Sequence, residues 1–442
     1  MEKIIILGAG LTGLTTGYEL ERKKVNYLIL EKEPKVGGLC KSININNFIF
    51  DYTGHFLHFS DKKTENFVKR ILKGNIIKIK RDARILTKYA FKKNFLIPYP
   101  LQANIKFLRS DIKLKSVKNL LFSYLNKTSN SISNFYDWLI YNFGKTLTDI
   151  FFCPYNEKLW KTPLKKISIS WVRQFVPLPE IDYIILSCIT GISKEYGYNT
   201  FFYYPKYNGI QSLIDAIYSL VDKNKVITSV DLIKVDYRKK EVNFIKEGKL
   251  HKTKYDYLIS TIPLTELIKL SNFPQNIKNL SSGLKYSGVI CYNIALSSLD
   301  IKKVHWIYFP DEEIVFYRVG FYNNINKNLI PNSRYASMYV EISVRDTKDF
   351  DEFSIYERVI NNLIKTGILN SSKQIMFYNL LKIPVGYVIY DHYREKNLPF
   401  IHKFLNNNKI YSIGRYGGWK YSYMSENIAE AINTVKSILY EK

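Results

Sequence analysis

Lys3-Ile4-Ile5-Ile6-Leu7-Gly8-Ala9-Gly10-Leu11-Thr12-Gly13 opens the chain with a β-branched run that stops at a glycine, and helical spacing follows from Leu14 to Arg22. Val25 to Leu30 then reads as a second strand. Strand, glycine turn, helix and strand in that order predict a βαβ unit, the opening of a doubly wound parallel sheet. The three glycines fall between strand and helix, and each has its own task. Gly8 permits the tight turn, Gly10 lets the backbone approach a pyrophosphate, and Gly13 lets the helix pack closely on the strand. The helix N-terminus offers unpaired N–H groups and a positive dipole end to phosphates. Glu31, at the end of the second strand, adds an acceptor for adenosine ribose hydroxyls, which makes the reading a dinucleotide site.

Beyond this unit the hydrophobic pattern changes several times. Residues 100–195 carry helical segments rich in Leu, Phe, Tyr and Trp, whereas β-branched runs return between Lys225 and Ile262. Residues 286–345 alternate apolar and polar positions, as a mixed or antiparallel sheet requires. Lys409 to Leu439 reads as strand, glycine-rich turn and long amphipathic helix. The expected fold class is α/β: a discontinuous Rossmann-type dinucleotide-binding domain (1–85, 201–265 and 386–442), a helical substrate-binding insertion (86–200) and a mixed-sheet substrate domain (266–385).

A formal charge of +26, from 65 Lys and Arg against 39 Asp and Glu, raises the question of anionic partners. The cations are spread along the chain, with small clusters at Arg22-Lys23-Lys24 and across Lys78 to Arg84, and no nucleic-acid motif accompanies them. A solvated basic surface plus a diphosphate site is therefore expected, with a peripheral membrane contact as the alternative and nucleic acid excluded. Cys40, Cys153, Cys188 and Cys291 lie far apart, which argues against a zinc site and a disulfide framework and fits a reducing cytoplasm. No export signal or membrane span is expected from the sequence. Nothing in it sets an oligomeric state.

The continuation Glu31-Lys32-Glu33-Pro34-Lys35-Val36-Gly37-Gly38-Leu39-Cys40 resembles the double-glycine segment of the superfamily of protoporphyrinogen oxidases, amine oxidases and UDP-galactopyranose mutases. Two glycines in tandem let backbone amides point at phosphate oxygens without Cβ interference. The resemblance implies FAD, held by Gly8, Gly10, Gly13, Glu31, Gly37, Gly38 and Leu39. Asp51-Tyr52-Thr53-Gly54-His55 stands where that superfamily has a Gly-His loop near the isoalloxazine, which implies flavin contact for Gly54 and His55.

Further segments are similar to the UDP-galactopyranose mutases. Pro98-Tyr99-Pro100-Leu101-Gln102 resembles a uridine-binding segment, which implies that Tyr99 and Gln102 contact uracil. Pro154-Tyr155-Asn156-Glu157-Lys158-Leu159-Trp160 resembles a substrate helix, with Asn156 and Trp160 on one face by their i, i+4 spacing. An ordinary aromatic core helix is the competing reading. Trp306-Ile307-Tyr308-Phe309-Pro310 and Phe316-Tyr317-Arg318 match a diphosphate-binding segment, and the guanidinium fork of Arg318 suits paired phosphate oxygens. Gly414-Arg415-Tyr416-Gly417-Gly418-Trp419-Lys420-Tyr421 resembles the last flavin motif, implying Arg415 beside the flavin and Tyr421, with Tyr387, on the diphosphate. The pattern departs where the mutases carry a second diphosphate Arg after a Trp: here Phe175 follows Trp171, and Arg173 is offset from it.

What the resemblance implies is an FAD-dependent nucleotide-sugar mutase of cell-surface glycan assembly, converting pyranose to furanose with N5 of reduced flavin as the nucleophile and NAD(P)H as a candidate reductant. No side chain is then the catalytic nucleophile and no metal is required. The rival expectation is a net oxidoreductase of the amine oxidase or protoporphyrinogen oxidase type, which shares every N-terminal motif.

Overall fold

The computed structural model describes residues 3–127, 132–191, 200–298 and 300–440. Its first sheet is parallel, with strands in the order Ile410–Ser412, Tyr257–Ser260, Lys3–Leu7, Asn26–Leu30 and Val226–Ile227. Ile4, Ile5 and Ile6 are wholly buried because Lys3–Leu7 is covered on both faces, so the strand reads as a continuous apolar run rather than an alternation. Helix Leu11–Arg22 packs against the C-terminal helix Met424–Tyr440, which returns the end of the chain to its beginning. The parallel sheet thus draws strands from three separated stretches of sequence.

A second, seven-stranded sheet is mixed, in the order Ile375–Val388, Tyr286–Leu296, Ala336–Val344, Arg318–Phe321, Trp306–Tyr308, Ala83–Ile85 and Ile97–Pro98. Its pairs are antiparallel except Trp306–Tyr308 on Ala83–Ile85. Two details differ from the sequence boundaries. Ala83–Ile85, inside 1–85, belongs to this sheet, and the edge strand runs past residue 385 to Val388. The helical unit carries helices Ser110–Leu125, Phe135–Leu147, Cys153–Trp160 and Ile181–Thr190. One large cluster of buried side chains runs from Ile5 and Leu7 through Trp138, Phe143 and Trp160 to Trp419, so the helical unit and the parallel sheet share a core. Among the described residues no helix is long and apolar enough to cross a membrane.

Candidate functional site

The glycine loop is built as its residue types require. Gly8 has φ +95°, and a Cβ there would lie 2.6 Å from Thr261 Oγ1. A Cβ on Gly13 would sit 1.9 Å from the Gly8 carbonyl oxygen, so the first helical turn can rest on the strand end only without a side chain. Gly10 differs. Its Cβ would meet nothing nearer than Gly38 Cα at 3.7 Å, an ordinary contact. The protein's own packing leaves room at position 10, as a bound pyrophosphate requires. Gly10 is also the N-cap of helix Leu11–Arg22 and supplies no side-chain cap, so the first-turn N–H groups stay available to an anion.

The double-glycine segment lies directly against this loop. The Gly37 N–H donates to the Ala9 carbonyl at 2.9 Å, and Gly10 and Gly37 form an isolated bridge. Leu39 sits in the turn that the Cys40 N–H closes on the Gly37 carbonyl at 3.0 Å. Glu31 is buried and already engaged: Oε2 accepts from the Ala9 N–H at 2.5 Å and Oε1 from the Glu33 N–H at 2.9 Å. Expected as an open acceptor for ribose, it also ties the glycine loop to the second strand. Each carboxylate oxygen keeps a further lone pair for a ligand hydroxyl.

Beyond the double-glycine segment the dinucleotide unit meets the mixed sheet. Gly54 passes so close to Tyr339 of the mixed sheet that a Cβ would lie 2.6 Å from the phenol oxygen. The next residue, His55, has its Nδ1 buried without a hydrogen bond of good geometry. Burial pulls its pKa down to about 4, the charges of Arg415 and Arg318 add to this, and the carbonyls of Thr53 and Tyr52 oppose it weakly. Arg415 donates to the Ser422 carbonyl at 3.1 Å and the Gly386 carbonyl at 3.3 Å, and its guanidinium lies 4.5 Å from the Tyr421 ring centre and 5.5 Å from that of Tyr387.

The aromatic side chains form two clusters. Tyr387 and Tyr421 stack at 5.9 Å, and Trp160 meets both edge-on at 5.6 and 6.3 Å. Tyr308 lies 5.1 Å from Tyr99 and 5.4 Å from Tyr155. Burial raises the phenols of Tyr99, Tyr308 and Tyr387, which keeps them protonated donors. The charge of Arg318 acts on Tyr155, Tyr308 and Tyr387 alike.

Three expected residues stand differently from the sequence reading. The Arg318 fork is not free for a diphosphate: its Nη2 donates to Glu341 Oε1 at 2.8 Å and its Nε to Oε2, because strand register places the two residues opposite each other. Only the outer edge of the guanidinium remains for another anion. Gln102 is buried and donates to the Pro177 carbonyl at 2.9 Å, with Oε1 unsatisfied. Asn156 bonds back to Phe152 of its own helical run at 2.8 Å, while Trp160, only 2% exposed, packs on Trp171 as well as on the tyrosines. Phe175 packs on Tyr421 at 4.6 Å and on Tyr423 at 5.2 Å. The side chain of Arg173 lies outside the described residues.

Sequence reasoning missed three side chains here. Glu341 interrupts an apolar strand and had no visible partner. Arg81, part of a cluster read as surface charge, holds its guanidinium 5.2 Å from the Tyr99 ring centre. Lys158, between Asn156 and Trp160, is the least expected. Its ammonium donates to the carbonyls of Phe309 (2.8 Å), Asp311 (2.7 Å), Ile314 (2.8 Å) and Phe316 (3.4 Å). That cage fastens the turn between Tyr308 and Arg318 to the helix that bears Trp160. Among the described residues no group of His, Cys, Asp and Glu could hold a metal ion.

Residues 6–71 match a family model described as NAD(P)-binding Rossmann-like domain. A crystal structure of reduced UDP-galactopyranose mutase superposes with a TM-score of 0.92 at 24% identity, covering 100% of this chain and 94% of that one. The UDP-galactopyranose mutase of Mycoplasma genitalium is 24% identical over 212 residues, 45% of this chain and 50% of that protein. The dTDP-fucopyranose mutase of Escherichia coli is 22% identical over 181 residues, 39% of this chain and 46% of that protein. The chain therefore spans about half the length of these curated relatives. The solved structure, in contrast, is matched over 94% of its length, and so the chain has the fold of a UDP-galactopyranose mutase, opened by a Rossmann-like dinucleotide-binding segment.

Proposed function

We propose that this chain is an FAD-dependent mutase that interconverts the pyranose and furanose forms of a nucleotide-linked sugar. One observation carries the reading. Two tyrosine clusters, Tyr387 and Tyr421 with Trp160 and Tyr308 with Tyr99 and Tyr155, share the charge of Arg318, and Arg318 and Arg415 both act on His55 of the Gly54-His55 loop. Gly10 leaves room for a pyrophosphate, and Gly37, Gly38 and the amides at the start of helix Leu11–Arg22 would hold it. His55, neutral at physiological pH, and Arg415 would face the flavin ring.

When bound and reduced, the flavin supplies a nucleophilic nitrogen for the anomeric carbon, and an NAD(P)H-class donor would keep it reduced. The chain's own side chains then orient and stabilise. The outer edge of Arg318 and the phenols of Tyr308, Tyr387 and Tyr421 would donate to the diphosphate as it separates from the sugar. Phenols bind phosphate oxygens without adding charge that would retain the product. Tyr99 would pack against the uracil, and the wall of Trp160 and Phe175 would keep water from the reacting carbon.

The test is direct. Dithionite-reduced protein is incubated anaerobically with UDP-galactopyranose, dTDP-fucopyranose and other nucleotide sugars, and the products are separated by chromatography. A furanose product formed only with reduced protein supports the reading. Substrate-dependent bleaching of oxidised flavin with no ring-size change assigns the chain to the oxidoreductases instead.

A further inference from the structure

The helical unit turns an unusual face to solvent. Helix Ser110–Leu125 buries Ile112, Ser116 and Leu120, which leaves the opposite side, spaced three and four residues apart, to Leu114, Lys115, Lys118, Phe122 and Leu125. Leu114 is 56% exposed, Phe122 68% and Leu125 77%, on a side that a surface helix ordinarily gives to polar groups. Residues 106–127 also carry six Lys or Arg against the single acid Asp111. A second helix, Ile181–Thr190, ends beside the first: Lys106 donates to the Gly191 carbonyl, and Lys113 and Lys106 both act on the Cys188 thiol. Its outward residues are also apolar, Leu186 at 49% and Ile189 at 77% exposed.

We propose that this face docks on an anionic lipid bilayer, with Phe122 and Leu125 entering the headgroup boundary and Lys115 and Lys118 engaging lipid phosphates. Apolar tips set among lysines are what such an interface requires, since buried apolar area and attraction to anionic headgroups add. Charge decides against the competing occupants. A two-fold contact with a second copy would set the same lysines against each other, whereas lipid phosphates neutralise them. A nucleic acid would use the cations and leave Phe122 and Leu125 idle. With no helix long and apolar enough to span among the described residues, the association is peripheral. The proposal stands independently of the mutase reading, and it gives the excess positive charge of this unit a use.

The full chain is sedimented with vesicles of phosphatidylcholine alone and of phosphatidylcholine mixed with phosphatidylglycerol. Binding is expected only to the anionic vesicles, weakening as salt shortens the screening length. Lys115→Glu with Lys118→Glu lowers partitioning by about fivefold or more per lysine, and Phe122→Ser with Leu125→Ser lowers it to a similar extent. Lys249→Glu with Lys252→Glu, an equal charge change on the exposed strand Lys249–Lys254, leaves it within about twofold. Hydrogen exchange on the unmodified protein localises vesicle protection to residues 110–127. The proposal is overturned by absent binding to anionic vesicles, by equal loss in the control, or by protection elsewhere. It is equally overturned if light scattering reveals a dimer that Phe122→Ser dissolves while vesicles leave the protein unbound.

Discussion

Arg318 and Glu341 face each other across neighbouring antiparallel strands, with Nη2 2.8 Å from Oε1, and Glu341 keeps only 1% of its side-chain surface exposed. The pair is electrically neutral as a unit, so the site does not present a bare cation to a nucleotide. Glu341→Gln removes the counter-charge and leaves a buried guanidinium, which should lower stability by about 3 kcal/mol. If the outer edge of Arg318 meets the diphosphate, UDP should restore part of that loss, because an anion that binds only the folded state stabilises it. Thermal melts with and without UDP check this. A UDP-induced shift no larger in the variant than in the unmodified chain would remove Arg318 from the nucleotide site.

Gly10 and Gly13 separate a ligand constraint from a folding constraint. Gly13→Ala would drive a Cβ to 1.9 Å from the Gly8 carbonyl and should strip the helix from the strand, so the chain should fail to reach a cooperative fold. Gly10→Ala meets only ordinary contacts, and a cap change of this kind costs about 1 kcal/mol or less. It should keep the melting temperature of the unliganded protein while flavin uptake falls by an order of magnitude or more. Equal flavin content in Gly10→Ala and the parent would place the pyrophosphate elsewhere.

The contrast between these glycines also shows what a sequence can disclose. The first strand, its turn and its helix were legible because their constraints are local: β-branched packing, a positive φ, a close approach. The 14-residue edge strand Ile375–Val388 was not, because Lys382, Pro384 and Gly386 break its alternation. An edge strand tolerates these residues because one side needs no ladder partner. The same holds for the site. Tyr308, Tyr387 and Tyr421 were named from motif resemblance, whereas Glu341 acquires meaning only through an arginine 23 positions earlier on the next strand.

Lys158 fixes the turn between Tyr308 and Arg318 by four carbonyl contacts, and it is the second place where a single side chain should control the site. Burial pulls its pKa down to about 8, and the charge of Asp311 opposes this. The neutral amine has only two N–H groups, so deprotonation leaves carbonyls without a donor. Nucleotide affinity should therefore decline as the pH rises above about 8, a limb that Lys158→Met should lack. The variant should also lose about 2 to 3 kcal/mol of stability through unsatisfied buried carbonyls. Calorimetric titration of UDP from pH 7 to 10 reads the first effect, and urea unfolding the second.

On the acid side the same reasoning turns to histidine. His55 and His58 are each pulled down to about 4, mainly by burial, whereas in the unfolded chain they titrate near 6.5. Between these values the unfolded state binds more protons than the folded one, so these two groups make stability rise with pH across the window and erode it as pH falls from 6.5 toward 4. Above 6.5 both are neutral in either state and contribute no slope. His55→Asn should flatten the acid limb of a melting-temperature profile while leaving the neutral plateau in place. A profile unchanged by this substitution would mean that His55 binds protons equally in the folded and unfolded states, and its assignment as a residue that burial holds neutral beside the flavin ring would fail.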